Sequence, residues 1–145
     1  MGPIEATLKK FGYPDTLIRD YRHWKILARP PQVTLGSLIV IENEGHKNFS
    51  RISDESFREY SAVIRDIEKV LGRLFHYDKM NYLMLMMVDP EVHFHVIPRY
   101  SKEISFADFT WKDFGWPKLP DLNQVNAVPK EKFQTLIDEL RRNFK

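Results

Sequence analysis

The chain has 145 residues, 43% hydrophobic and 29% charged, the balance of a globular protein with an apolar core. Its 22 Lys and Arg against 20 Asp and Glu give a net charge of +2. That offers no basic surface for nucleic acid or an anionic membrane, so a phosphate site would have to be built from a few placed donors. Cysteine is absent, which excludes disulfides, thiolate nucleophiles and cysteine-bound zinc. Residues 1–5 lack the basic and apolar runs of a signal peptide. Ala6 stands where acylation of Gly2 would require Ser or Thr, and the longest apolar run, residues 82–88, is too short to span a bilayer. The expectation is a cytoplasmic protein forming one domain over residues 1–145.

In chain order, residues 4–11 read as a short helix, Gly12-Tyr13-Pro14 as a break, and the residues after Asp15 as an amphipathic turn. Residues 21–28 mix aromatic and apolar side chains and predict a strand stopped by Pro30-Pro31. The β-branched run Leu38-Ile39-Val40-Ile41 predicts a second strand, and residues 42–50 a loop. Ser53 is a good N-cap for a long helix, with Asp54 and Glu55 at the positive end of its dipole. Phe57, Tyr60, Ile64, Ile67, Leu71 and Leu74 recur at steps of three and four, forming one apolar stripe that lies on a sheet.

Residues 81–88 and 92–100 read as two strands joined by an Asp89-Pro90 turn. Met84, Met86 and Met87 are expected as core filler. Residues 101–126 read as irregular and aromatic-rich. A closing helix starts near Pro129 and carries Phe133, Leu136, Ile137, Leu140 and Phe144 on one face. Antiparallel strands with two sizeable helices give an α+β fold, with its core over about residues 21–100.

The chemistry concentrates in Asp89-Pro90-Glu91-Val92-His93-Phe94-His95-Val96-Ile97-Pro98-Arg99-Tyr100. Side chains alternate along a strand, so Glu91, His93, His95 and Ile97 share one face and Val92, Phe94 and Val96 the other. Pro98 cannot donate to a ladder, so the strand is expected to end or lie at an edge there. Three readings fit this row. The histidines can be ordinary surface residues. Glu91, His93 and His95, with His76, can bind a metal such as zinc. Or one histidine can be a nucleophile assisted by its neighbour.

The segment His93-Phe94-His95-Val96-Ile97-Pro98-Arg99 resembles the signature of the histidine-triad superfamily, alternating histidines followed by Pro-Arg. Thr34-Leu35-Gly36-Ser37-Leu38-Ile39-Val40-Ile41, the long capped helix and the strand at Asn81 follow in the same order as in that family. The likeness covers roughly residues 24–100. It implies a mainly antiparallel sheet of about five strands with one long central helix and a C-terminal helix.

The resemblance also implies an activity: a nucleotide hydrolase or nucleotidyl transferase acting on a dinucleoside polyphosphate or nucleoside phosphoramidate. His93 would attack the α-phosphorus to form a nucleotidyl-histidine, with its other ring nitrogen held by a backbone carbonyl of its own strand. His95 would contact the phosphate or bridging oxygen and help the leaving group depart. Substrate contacts fall to Glu91, Asn81, Arg99, Asn43 and Arg29, the last two beside a base lying between residues 24–29 and 38–41. Trp111 and Trp116 are candidates to close over a base, or else to pack in the core or against another subunit. No metal or cofactor is required in this scheme, and a homodimer is implied.

Two departures stand out. Glu91 replaces the first histidine, placing a carboxylate beside an anionic substrate, and Met86, Met87 and Val88 replace the polar residues that usually precede the motif. A non-catalytic nucleotide-binding or regulatory protein on the same scaffold is the alternative reading.

Overall fold

The structure, a computed structural model, describes residues 3–145; the acylation question at Gly2 falls outside them. Helix α1 (Pro3–Lys10) leads into strands β1 (Leu17–Asp20), β2 (Trp24–Ala28) and β3 (Leu38–Glu42). Helix α2 (Asp54–Phe75) follows, then β4 (Lys79–Leu83), β5 (His93–Arg99), β6 (Ile104–Phe106), β7 (Phe109–Trp111) and α3 (Lys130–Asn143). The first five strands form an antiparallel sheet in the order β1-β2-β3-β5-β4, as an α+β fold of this kind requires.

The two faces of the sheet are packed differently. One carries the main core, where Trp24, Ile26, Val40, Phe94 and Val96 meet Val63, Ile67 and Leu71 of α2 and Leu136 and Leu140 of α3. The other carries Leu27, Ile39 and Ile41 under Phe11, with Ile4 and Leu8 of α1 packed around them. In the β3–β5 ladder His95 faces Ile39 and His93 faces Ile41. The histidines therefore sit on the face that α1 covers.

Several sequence expectations are met and others are corrected. Ser53 caps α2 by accepting from the Ser56 amide at 3.1 Å. The buried stripe of α2 is Ser56, Val63, Ile67, Val70, Leu71 and Phe75, whereas Phe57 is 45% exposed and makes a tilted ring contact with Phe49 instead. Residues 17–20 form an edge strand, not a turn. Four residues with only Ile18 buried are too short for a period to be read. Residues 21–24 make a tight turn, Tyr21 N donating to Trp24 O at 2.7 Å, so β2 starts at Trp24.

The strand predicted over 81–88 ends at Leu83, and β4 is joined to β5 by the nine residues between them rather than by a tight Asp89-Pro90 turn. In this connection Met84 and Met86 pack on the core, but Met87 is 85% exposed and is not core filler. Part of 101–126 is a small hairpin, β6–β7, turning through Ala107 and Asp108. Both have φ of 56°, the left-handed pair that a two-residue hairpin needs. Within it Trp111 is 1% exposed. Pro98 lies inside β5, but β3 pairs only as far as Val96, so its missing N–H interrupts no ladder on that side.

The turn between β2 and β3 is built by buried polar groups. Gln32 donates to Arg29 O at 2.8 Å and Ser37 O at 2.9 Å and accepts from the Gly36 amide at 3.0 Å. Thr34 Oγ1 donates to Pro98 O at 2.5 Å, tying the turn to β5. Gly36 has φ of 84°, and a Cβ there would meet the Phe75 ring at 3.3 Å. Gly36→Ala should therefore destabilise the fold by about 1–2 kcal/mol from the left-handed backbone alone, with the ring contact adding to it. The check is the urea midpoint of the variant, with an unchanged dependence on denaturant.

Candidate active site

His93 and His95 project from the first half of β5 into a cavity of about 270 Å³. Its floor is the two imidazoles, whose centroids are 5.1 Å apart at an interplanar angle of 70°. One wall is Lys10 and Phe11 at the end of α1, another is Arg29 and Pro31 after β2. The rim is residues 85–89 of the β4–β5 connection. The Phe11 ring lies 6.0 Å from His93 and 6.3 Å from His95, and an ion pair of 2.9 Å between Lys10 and Asp89 joins α1 to the rim.

Each ring has one nitrogen committed. His93 Nδ1 lies 2.6 Å from the carbonyl oxygen of Glu91. A carbonyl can only accept, so Nδ1 carries a hydrogen, and in the neutral ring Nε2 keeps the lone pair. His95 Nδ1 lies 3.2 Å from Arg29 Nε, which can only donate. Burial first, and the Arg29 charge second, lower the pKa of His95 from 6.5 to about 4, so the ring is neutral at pH 7. Burial likewise lowers the pKa of Arg29, which stays charged because the starting value is so high.

Glu91 occupies the bend just before β5 and is 1% exposed. Its carboxylate accepts a short hydrogen bond from Thr7 Oγ1 of α1 and is not among the groups lining the cavity. The charge that departs from the triad pattern is therefore turned toward α1, and the part of Glu91 that meets His93 is its backbone.

The other sequence candidates lie elsewhere. Arg99 is six residues along β5 from His93, about 20 Å at 3.3 Å per residue. It pairs with Asp113 at 2.7 and 3.1 Å and donates to Asn81 at 2.8 Å. These two line a separate hollow with Lys79, Trp116 and Lys118. Asn43 closes the β2–β3 end, bonding Lys25 Nζ and the carbonyls of Tyr21 and Arg22. Trp111 is sealed among Phe106 and Phe109, too buried to cover a base.

Only Arg29, His93 and His95 of the sequence set thus meet in one cavity, with Glu91 behind it. Thr7, Lys10, Phe11 and Asp89 were missed. The apolar spacing Ile4, Leu8, Phe11 was the available sign that α1 packs on the sheet, but not on which part.

Among the described residues, the groups close enough together to hold a cation are Glu42, Glu44 and His46, none of which lines this cavity. His46 turns Nδ1 to Glu42 at 2.7 Å and Nε2 to Glu44 at 3.7 Å, and Glu42 also accepts from the Glu44 and His46 amides. One ring nitrogen faces each carboxylate, within hydrogen-bond distance only for Glu42.

A neutral buried His95 makes stability depend on pH with a definite sign. Between 6.5 and about 4 the unfolded chain binds a proton that the folded ring refuses, so stability is lost as pH falls through this window. His95→Asn removes that proton linkage. The unfolding free energies of wild type and variant, followed by urea titration, should converge as pH is lowered from 6.5 to 4.

No curated protein sequence matches the chain significantly. Among solved structures, a histidine triad protein of Bradyrhizobium japonicum superposes with a TM-score of 0.73 at 19% identity, covering 97% of this chain and 96% of its own. A histidine triad protein of Sinorhizobium meliloti gives 0.74 at 16% identity, covering 95% and 93%. A hypothetical histidine triad nucleotide-binding protein of Sulfolobus tokodaii gives 0.66 at 16%, covering 89% and 83%. These likenesses establish a shared fold. The sequence pattern of the HIT domain matches residues 15–102, which spans β1 through β5 and more than half the chain. This chain belongs to the HIT domain family.

Proposed function

We propose that the chain is a nucleotide hydrolase or nucleotidyl transferase that works through a covalent nucleotidyl-histidine at His93. The observation that carries the reading is the Glu91 carbonyl on His93 Nδ1 at 2.6 Å, which leaves Nε2 as the nucleophilic nitrogen of a ring lining the cavity. Nε2 forms a bond to phosphorus while the bond to the leaving group breaks, its electron pair departing with that group. Water then cleaves the N–P bond for hydrolysis, or an acceptor hydroxyl or amine does so for transfer. Lys10 and Arg29 supply the positive charge against the non-bridging oxygens, and no metal or cofactor enters the scheme.

The size and charge of the cavity favour one of the two substrate classes. About 270 Å³ lies just under the roughly 300–1,000 Å³ usual for small-molecule sites, room for a phosphoryl group and one moiety beside it. Of its two cations Lys10 is paired with Asp89, so little charge remains for a polyphosphate chain. A nucleoside phosphoramidate, with a single anionic phosphorus, fits this balance better than a dinucleoside polyphosphate. The apolar rim at Leu85, Met86, Met87 and Val88 suits an apolar leaving group.

The alternative, a nucleotide-binding protein without turnover, draws its support from the depth of His93, which is 2% exposed beneath Phe11. A homodimer belongs to the proposal as well, with β4 the free edge of the sheet beside β5; light scattering in solution checks it.

The deciding experiment incubates the protein with the 5′-phosphoramidates of the four ribonucleosides, quenches it in acid-free denaturant and measures intact mass. A nucleotidyl increment mapped to residues 92–99, together with turnover that falls on the order of 10⁴-fold or more in His93→Ala, is the expected result. Nucleotide binding by calorimetry with neither adduct nor turnover would establish the alternative. Equal turnover by wild type and His93→Ala would end the covalent mechanism.

A further inference from the structure

We propose that Arg29 is a positioning residue that fixes the tautomer of His95, making His95 a neutral hydrogen-bond donor and removing it as the proton source for the leaving group. The tautomer stands on geometry alone; its consequence for a leaving group rests on the reading of His93 as nucleophile.

A guanidinium has five donors and no acceptor. At 3.2 Å from Arg29 Nε, with the hydrogen directed along the contact, His95 Nδ1 must therefore accept. A neutral imidazole whose Nδ1 accepts has its hydrogen on Nε2, and that N–H is all the ring can present to a phosphoryl oxygen. The guanidinium is itself held on a rigid mount. Arg29 Nη1 donates to Pro31 O at 2.7 Å, and the Arg29 amide donates to Ser37 O at 2.9 Å. The fully buried Gln32 bonds the Arg29 carbonyl from inside the turn. Two acceptors at the angle of one planar group are a match for Arg that a point-charge ammonium lacks.

The charged groups facing His95 come from every element around it. Arg29 after β2, His93 on its own strand and Lys10 at the end of α1 oppose protonation, Asp89 on the β4–β5 connection favours it, and burial outweighs them all. The ring therefore has no proton to spare. Giving up Nε2–H would create an imidazolate, which is far from accessible near neutral pH. As the His93–phosphorus bond forms, the leaving atom must take its proton from water at the cavity mouth no later than its own bond to phosphorus breaks, the electron pair of that bond staying with it. Turnover should consequently depend steeply on leaving-group basicity and should show no limb from His95 between pH 5 and 8.

The test is nitrogen-15 NMR of histidine-labelled protein between pH 5 and 8, with kinetics alongside. The expected result is a wild-type His95 that stays in the Nε2–H tautomer throughout. Arg29→Met should let the ring titrate upward toward the ordinary 6.5 and populate Nδ1–H. Arg29→Lys, retaining charge and a donor but lacking the planar fork, should return the Nε2–H form only in part. A wild-type ring that is protonated on Nδ1, or that titrates above pH 6, overturns the proposal, and this measurement decides it even if Arg29→Met fails to fold. An unchanged tautomer and titration in a folded Arg29→Met protein overturns it too. Absence of any turnover would remove the enzymatic reading of His93 while leaving the tautomer result standing.

Discussion

The hydrogen bond between the Glu91 carbonyl and His93 Nδ1 is the constraint on which the site depends. It exists because the chain bends at residues 91 and 92 before entering β5, bringing a carbonyl back toward a ring two residues later. The bend is itself anchored, by Val92 N on His46 O at 2.8 Å and Glu42 N on Val92 O at 3.0 Å. Because the contact is made by backbone, it does not require any particular side chain at position 91. A carboxylate can replace an imidazole there without disturbing how His93 is held, provided the carboxylate finds a partner of its own.

Thr7 is that partner. A buried, unpaired carboxylate would cost several kcal/mol, and an ion pair toward the cavity would set negative charge beside a phosphate. A hydroxyl from α1 meets the need for a donor without adding charge. The cations of the cavity are then free of Glu91, and Arg29 engages His95 instead. Each histidine is thereby served by one group: a backbone acceptor fixes His93 with its lone pair on Nε2, and a cationic donor fixes His95 with its hydrogen on Nε2. Identical side chains two residues apart are set in opposite roles by what touches Nδ1.

This division explains what could be read from the sequence. Alternation placed His93 and His95 on one face of a strand because that needs only a period of two, and the Ser53 cap and the α3 face were equally local. The ends of β4 were not legible. Met84 to Val88 looks like a strand by composition, yet pairing ends at Leu83, Met86 takes a left-handed φ of 52° with no glycine to announce it, and residues 87–89 bend. Arg99 and Asn81 drew attention by nearness to the motif, yet 20 Å of extended chain separates Arg99 from His93. The Asp113 that claims Arg99 lies beyond the motif altogether. Contacts across the chain, such as Thr7 to Glu91 and Arg29 to His95, separate partners by 84 and 66 residues, and no local pattern encodes them.

The family match begins at residue 15, so the site divides along that boundary. Arg29, His93 and His95 come from inside it and set which ring nitrogens carry hydrogen. Thr7 and Lys10 of α1, and Phe11 just after it, lie before that boundary: the hydroxyl that hydrogen-bonds the Glu91 carboxylate, a cation lining the cavity, and the ring beside both imidazoles. α1 is attached through the small apolar cluster of Phe11, Leu27, Ile39 and Ile41, the Lys10–Asp89 ion pair and the buried hydrogen bond from Thr7 to Glu91. The two imidazoles are thus held by an interior strand, where a displaced atom would cost the most packing. Moving α1 away would strand the buried Glu91 carboxylate without its donor, so the helix is tied to the same residue whose backbone holds His93.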